Sequence, residues 1–219
     1  MTKILMIYGG WQGHSPEAIS LYFAQKLRER QHQVTLSDSL AILNDYKGLK
    51  LYDLIIMNWT RGDLSDSAVQ NIQRVVAEGT GLAGIHGGFT SAFQNSKQWQ
   101  FLTGGLFVDH PGGDQQNYTV KILDKTHSIT HDLPDFSIQS EQYYLLTDPA
   151  IHILATTDFV VLDHPNAANR LPISLPVAWT KKWGKGNIFY HSLGHDLATC
   201  QLPFVEEMTL RGFEWAIRK

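Results

Sequence analysis

Four histidines, His14, His86, His110 and His195, stand in glycine-bearing segments, most of them just past runs of apolar residues. A neutral imidazole in such a place can serve as base, acid or metal ligand near neutral pH. The sharpest segment is Gly84-Ile85-His86-Gly87-Gly88. It has the pattern of a nucleophile elbow, in which small residues flank a reactive one at a strained strand-to-helix turn. Here the reactive slot holds histidine, so a serine-esterase or cysteine-amidase reading fails. His14 precedes a helix start, where the positive dipole end disfavours imidazolium and leaves the ring able to take a proton or a metal. His110 lies in Asp109-His-Pro-Gly-Gly113. His195 lies in His191-Ser-Leu-Gly-His-Asp196, where Asp196 is expected to orient an imidazole from behind. Glu141 adjoins Gln142-Tyr-Tyr144, a carboxylate beside aromatic surface. Trp11, Trp59 and Tyr143 are candidates to stack on a sugar face. His127 and His131 are spaced like a metal pair, but the Ser-Ile-Thr between them and Pro134 after them favour a turn. His32, His152 and His164 read as surface residues.

Zinc without thiolates needs about three His or carboxylate ligands converging with an open position. His14, His86, His110 and His195 are the candidates for a divalent metal, while His86, His14 and Glu141 are the candidates for acid/base catalysis. The dinucleotide fingerprint is absent, because Tyr8 stands where a glycine is needed and Asp38 alone cannot replace it.

These residues need a scaffold. Lys3–Tyr8 is a continuous apolar run, as expected of a strand covered on both faces. A helix follows with Ser15 as cap, Pro16 at its first position and Ile19, Tyr22, Phe23 and Leu27 on one stripe. Short strands are predicted at 33–37, 53–58 and 82–85, with a helix from Ser65 or Asp66 to Gly79 between the last two. Alternation of this kind predicts parallel strands in a three-layer α/β sandwich, with the first and fourth strands as neighbours. Strands are also predicted at 118–123, 151–156, 177–180 and 187–191. A closing helix over about 203–217 should pack through Phe204, Met208, Leu210, Phe213 and Trp215. One domain over residues 1–219 is expected.

Composition narrows the classes. Eighteen Lys and Arg against 21 Asp and Glu give a net charge of −3, unlike the basic face of a nucleic-acid binder. The single cysteine, Cys200, cannot form an internal disulfide, and the first apolar run is too short for a signal sequence or a membrane span. A cytoplasmic protein with no membrane partner is expected.

Several blocks resemble the ThuA-like, or trehalose-utilisation, family. They are Gly10-Trp-Gln-Gly-His-Ser-Pro-Glu17, Asn58-Trp-Thr-Arg-Gly-Asp-Leu64, the His86 elbow, Phe107-Val-Asp-His-Pro-Gly112, Glu141-Gln-Tyr-Tyr144 and Gly184 to Asp196. The resemblance spans about residues 3–217. It implies a flavodoxin-like, class I glutamine-amidotransferase-like sandwich with a mostly parallel sheet, whose cysteine nucleophile is replaced by His86. It also implies a sugar or ring-oxidised sugar as small-molecule partner, and functional positions at His14, Asp63, His86, His110, Glu141, His195 and Asp196. Asp109 and His131 depart from the family pattern, and His131 is expected to carry no role. The reading that follows is a sugar-modifying enzyme (isomerase, lyase or hydrolase, not a glutamine amidotransferase). Trp11, Trp59, Asp63, His110, Tyr143, His195 and Asp196 would hold its substrate. The alternative is a non-catalytic sugar-binding or regulatory domain. Zinc as cofactor and a homo-oligomeric state stay open.

Overall fold

The computed structural model describes residues 1–159 and 173–219, so His164 lies outside the described residues. The first half alternates β1 (Lys3–Gly10), α1 (Pro16–Glu29), β2 (Gln33–Ser37), α2 (Tyr46–Leu49), β3 (Leu54–Thr60), α3 (Asp66–Ala77) and β4 (Gly81–Ile85). Next come α4 (Gly87–Thr90), α5 (Lys97–Thr103), β5 (Gly105–Asp109), β6 (Gln116–Ile122), β7 (Phe136–Ser140), β8 (Tyr144–Thr147) and β9 (His152–Phe159). The chain closes with β10 (Ile173–Trp183), β11 (Gly186–His191), α6 (Leu197–Cys200) and α7 (Pro203–Ala216). Sequence periodicity missed β5, β7 and β8: β5 and β8 pair only with each other and β7 lies at the sheet edge, so none is the continuous apolar run of a strand covered on both faces.

The main sheet has the order β2-β1-β3-β4-β11-β10-β9-β6-β7. Its first five strands are parallel, and the remaining pairings are antiparallel. β5 and β8 form a separate two-stranded antiparallel sheet. The result is an α/β fold with a mixed sheet, parallel at its centre and flanked by helices. Side chains alternate across β1. Ile4 and Met6 pack with Ile19, Phe23 and Leu27 of α1 and with Met208 and Phe213 of α7. Leu5 and Ile7 pack with Val69, Ile72, Val75 and Val76 of α3 and with Trp99 of α5.

The expected pairing of the first and fourth strands is corrected, because β3 lies between β1 and β4. The crossover through α1 places β2 on one side of β1, and the chain then returns to place β3 on the other side. The next crossover therefore steps outward past β3. This reversal beside β1 is a topological switch point, where loops after neighbouring strands diverge and leave a crevice.

Two helix details differ from expectation. Ser15 does not cap α1 with its side chain. It closes the preceding turn through its N–H on Gln12 O at 2.9 Å and adopts a left-handed φ of +46°, leaving Pro16 and Glu17 to start the helix. Phe204 is not core. It sits in the first turn of α7, 40% exposed, and stacks on Phe136.

Ser65, given above as one possible start of the helix, caps α3 by accepting from the N–H of Ala68 at 3.3 Å. Ser65→Ala is expected to cost about 1 kcal/mol. Thermal unfolding should read this as a fall of roughly 2–4 °C. An unchanged midpoint would show that the cap contributes nothing.

Among the described residues, no helix is long and apolar enough to cross a membrane.

Candidate functional site

β4 ends at Ile85, and His86 then takes φ +48° and ψ −143°, an uncommon conformation for a residue with a side chain. The flanking glycines have a spatial cause. A Cβ on Gly84 would lie 2.2 Å from the ring of Phe89, and one on Gly87 would lie 2.7 Å from the imidazole of His14. The elbow pattern thus holds in space, with one correction. His86 is not an exposed tip but is 2% exposed, at the floor of a polar cluster.

His86 N donates to His191 O at 2.8 Å, locking the elbow to the end of the parallel neighbour β11. Its Nδ1 lies 2.7 Å from Ser192 O, a carbonyl that can only accept. The Nδ1 proton is therefore fixed, and the neutral ring turns its Nε2 lone pair into the site. Two groups meet that nitrogen: the Tyr143 hydroxyl at 2.8 Å and Glu141 Oε2 at 3.1 Å. His14 points in from the turn after β1, with Nδ1 3.0 Å from Thr60 Oγ1 at the end of β3 and Nε2 3.9 Å from Glu141 Oε2. His195 brings Nδ1 to 3.2 Å from Glu141 Oε1. The rings of His14, His86 and His195 stand edge to face, with centroids 4.5–5.6 Å apart.

Glu141 is thus the hub of four imidazoles, the fourth being His110. Its Oε2 and the Nδ1 of His195 are buried without hydrogen-bond partners, close to their neighbours but misaligned. Burial raises the Glu141 carboxyl, but His195 and His86 outweigh it and hold the group below its ordinary range. His14 is pushed down to about 3, chiefly by burial and then by His86. Burial likewise lowers His86, against the pull of Glu141. The more open His195 is raised, chiefly by Glu141. A carboxylate facing the neutral rings of His14 and His86 leaves negative charge and lone pairs converging on one point. That donor set suits a cation.

One ligand atom from each of His14, His86, Glu141 and His195 lies within 4.8 Å of every other. Tetrahedral zinc ligands at 2.0–2.2 Å from the metal would stand about 3.4 Å apart, so modest side-chain contraction would close the shell. The residues fit a divalent metal. His110, expected among its ligands, stands outside this group at the rim. Its Nε2 is 3.7 Å from Glu141 Oε1, and it is the more exposed partner of the two.

The adjoining cavity holds about 170 Å³ and is lined by Trp11, His14, Arg61, His110, Glu141 and Tyr143, among others. Other predicted positions serve elsewhere. Asp63 sits outside this cavity and accepts from Asn95 at 3.4 Å. Asp196 does not orient an imidazole. It caps α6 by accepting from Thr199 N at 2.7 Å, because it immediately precedes that helix. Trp59 packs over Gly9, behind the cavity wall. Cys200 is buried in the core, and burial raises its thiol far above the usual range. His131 lies at the surface against Arg211, clear of the site. The pattern-based reading overlooked Thr60, Ser192 and Arg61. The first two act through groups that no motif marks, a hydroxyl on His14 and a backbone carbonyl on His86. Arg61 stood inside a quoted block and carried a signal that went unused.

The family described as ThuA, trehalose utilisation, matches residues 3–216. A ThuA-like protein of Bacteroides uniformis is similar in structure, with a TM-score of 0.77 at 18% identity over 98% of this chain and 91% of that one. A ThuA-like protein of Parabacteroides merdae gives 0.75 at 18% identity over 98% and 89%. A cytoplasmic protein of Salmonella typhimurium gives 0.67 at 16% identity over the whole of both chains. At these identities the likeness concerns the fold alone. No curated protein matches the chain.

Proposed function

The chain belongs to the ThuA, trehalose-utilisation, family, and from that premise we propose that it is a cytoplasmic enzyme acting on a sugar or ring-oxidised sugar at the Glu141 cluster. The observation that carries this reading is the convergence of His14, His86 and His195 on one buried carboxylate with unpartnered ligand atoms. His14, His86, Glu141 and His195 would hold a divalent cation, zinc by donor type. Such a cation supplies Lewis acidity at a carbonyl or hydroxyl oxygen.

The chain's own groups do the rest. Ser192 O holds the proton of His86 on Nδ1, so that Nε2 stays available. The Thr60 hydroxyl, 3.0 Å from Nδ1, positions the His14 ring. The single proton of the Tyr143 hydroxyl, retained because burial disfavours its loss, goes to His86 Nε2 in this arrangement; were Nε2 to ligate a cation, that proton would be free for a substrate oxygen that gains charge. His110 stands at the rim, its side chain partly exposed and Nε2 3.7 Å from Glu141 Oε1, placed to carry a proton between ligand and solvent. Trp11, 40% exposed, offers its face to a sugar ring. Proton transfer beside a carbonyl, as in isomerisation or elimination, is the chemistry this set serves.

The test is metal content and turnover on trehalose and its ring-oxidised derivatives, using protein made without a histidine tag. About one divalent metal per chain is expected, with chelation removing metal and turnover together and re-addition restoring both. Turnover that survives complete metal removal would overturn the cation assignment. Saturable sugar binding with no product would instead favour the non-catalytic sugar-binding reading.

A further inference from the structure

Arg61 lines the same cavity as Glu141, yet the chemistry above makes no use of it. Its backbone is in the left-handed region, with φ +65° followed by +80° at Gly62. A bulky side chain there is an outlier that the surroundings must enforce. They do so through the N–H of Arg61 on Ser91 O at 3.1 Å and the N–H of Trp11 on Thr60 O at 3.0 Å. The outcome is a guanidinium held 4.7 Å above the Trp11 ring, which itself meets the His14 ring at 4.7 Å. Among the described residues no carboxylate pairs with Arg61, and the acid nearest in sequence, Asp63, is turned toward Asn95. An exposed planar fork that no carboxylate pairs, at the mouth of a polar cavity, suits a carboxylate or phosphate.

We propose that Arg61 is a specificity residue that binds an anionic group, carboxylate or phosphate, on the sugar ligand. This rests on the reading of the site given above. A divalent cation on Glu141 would leave the cluster net positive, and Arg61 adds a second positive charge on the ligand's other side. The 170 Å³ cavity is below the roughly 300–1,000 Å³ of drug-sized sites, so the acidic group belongs to a monosaccharide or to the terminal ring of a longer sugar.

The experiment is calorimetric titration of the as-purified wild type and Arg61→Gln with glucose, glucuronate and glucose 6-phosphate, which differ at one carbon. Metal content is measured on the same samples. The wild type is expected to bind at least one acid tenfold or more tighter than glucose, and the preferred acid identifies carboxylate or phosphate as the group read. In Arg61→Gln that ratio should fall toward one, with glucose affinity and metal content unchanged. Equal binding of acid and neutral sugar by the wild type overturns the proposal, as does binding of neither acid. A preference that survives in Arg61→Gln also overturns it and assigns the preference to the cluster. Wild type that carries no metal yet keeps an Arg61-dependent ratio refutes the cation reading and leaves the anion subsite standing.

Discussion

Glu141→Gln is expected to abolish both metal retention and turnover while the protein stays folded. The substitution keeps volume and shape but removes the one negative charge on which His14, His86 and His195 converge. An amide offers a neutral oxygen and a donor NH2, and the donor end would face imidazole lone pairs. Removing even an outer partner of a metal ligand costs about 10–100-fold in affinity, so loss of the central carboxylate should exceed roughly 100-fold. Folding should survive. The carboxylate is costly to bury and has no aligned partner on Oε2, so its loss removes a desolvation penalty together with its ion pairs. Elemental analysis, turnover and circular dichroism on one preparation decide the matter. Full turnover in Glu141→Gln would sink the cluster as the active centre.

Gly212→Ala should lower stability although it adds only one methyl to a helix. Gly212 lies inside α7, where Ala would ordinarily gain about 1 kcal/mol of helix propensity. Packing reverses that sign. An added Cβ would stand 2.0–2.3 Å from three ring atoms of Phe189, a fully buried residue of β11. The ring packs beside Phe213 and His191 and has no free end to swing aside. Overpacking of this kind costs about 1–3 kcal/mol and occasionally more. Less the propensity gain, a net loss of up to about 2 kcal/mol should lower the thermal midpoint by up to about 8 °C. Phe189→Leu added to Gly212→Ala should recover part of that loss, because it relieves the same contact. A Gly212→Ala protein as stable as its parent would mean that α7 does not sit this close to the sheet.

The strand–helix alternation of the first half was legible because Lys3–Tyr8 and the stripe of α1 carry strong periods over several residues. Strand order was not, since nothing local to β1, β3 or β4 records which side of β1 the chain returns to. The elbow at His86 was legible from its glycines, as both Gly84 and Gly87 answer to a contact that a Cβ would block. The part of Glu141 as hub was hidden because its partners are 31 to 127 positions away along the chain. Asp196 shows the converse error. A carboxylate next to His195 in sequence looked like its partner, while its place one residue ahead of α6 committed it to the cap. Asp63 and Trp59 shared a block with Arg61, yet of the three only Arg61 reaches the cavity.

The span of the cluster has a thermodynamic corollary. His14 and His86 come from loops of the first half, Glu141 and His195 from the second, and only the folded chain brings them together. A cation held there would be a reversible crosslink that binds the native state and not the unfolded one. At a free concentration 100 times its dissociation constant it would add about 2.7 kcal/mol to stability. The melting temperature would then be a property of protein and buffer jointly, and trace metal carried through purification would set its value.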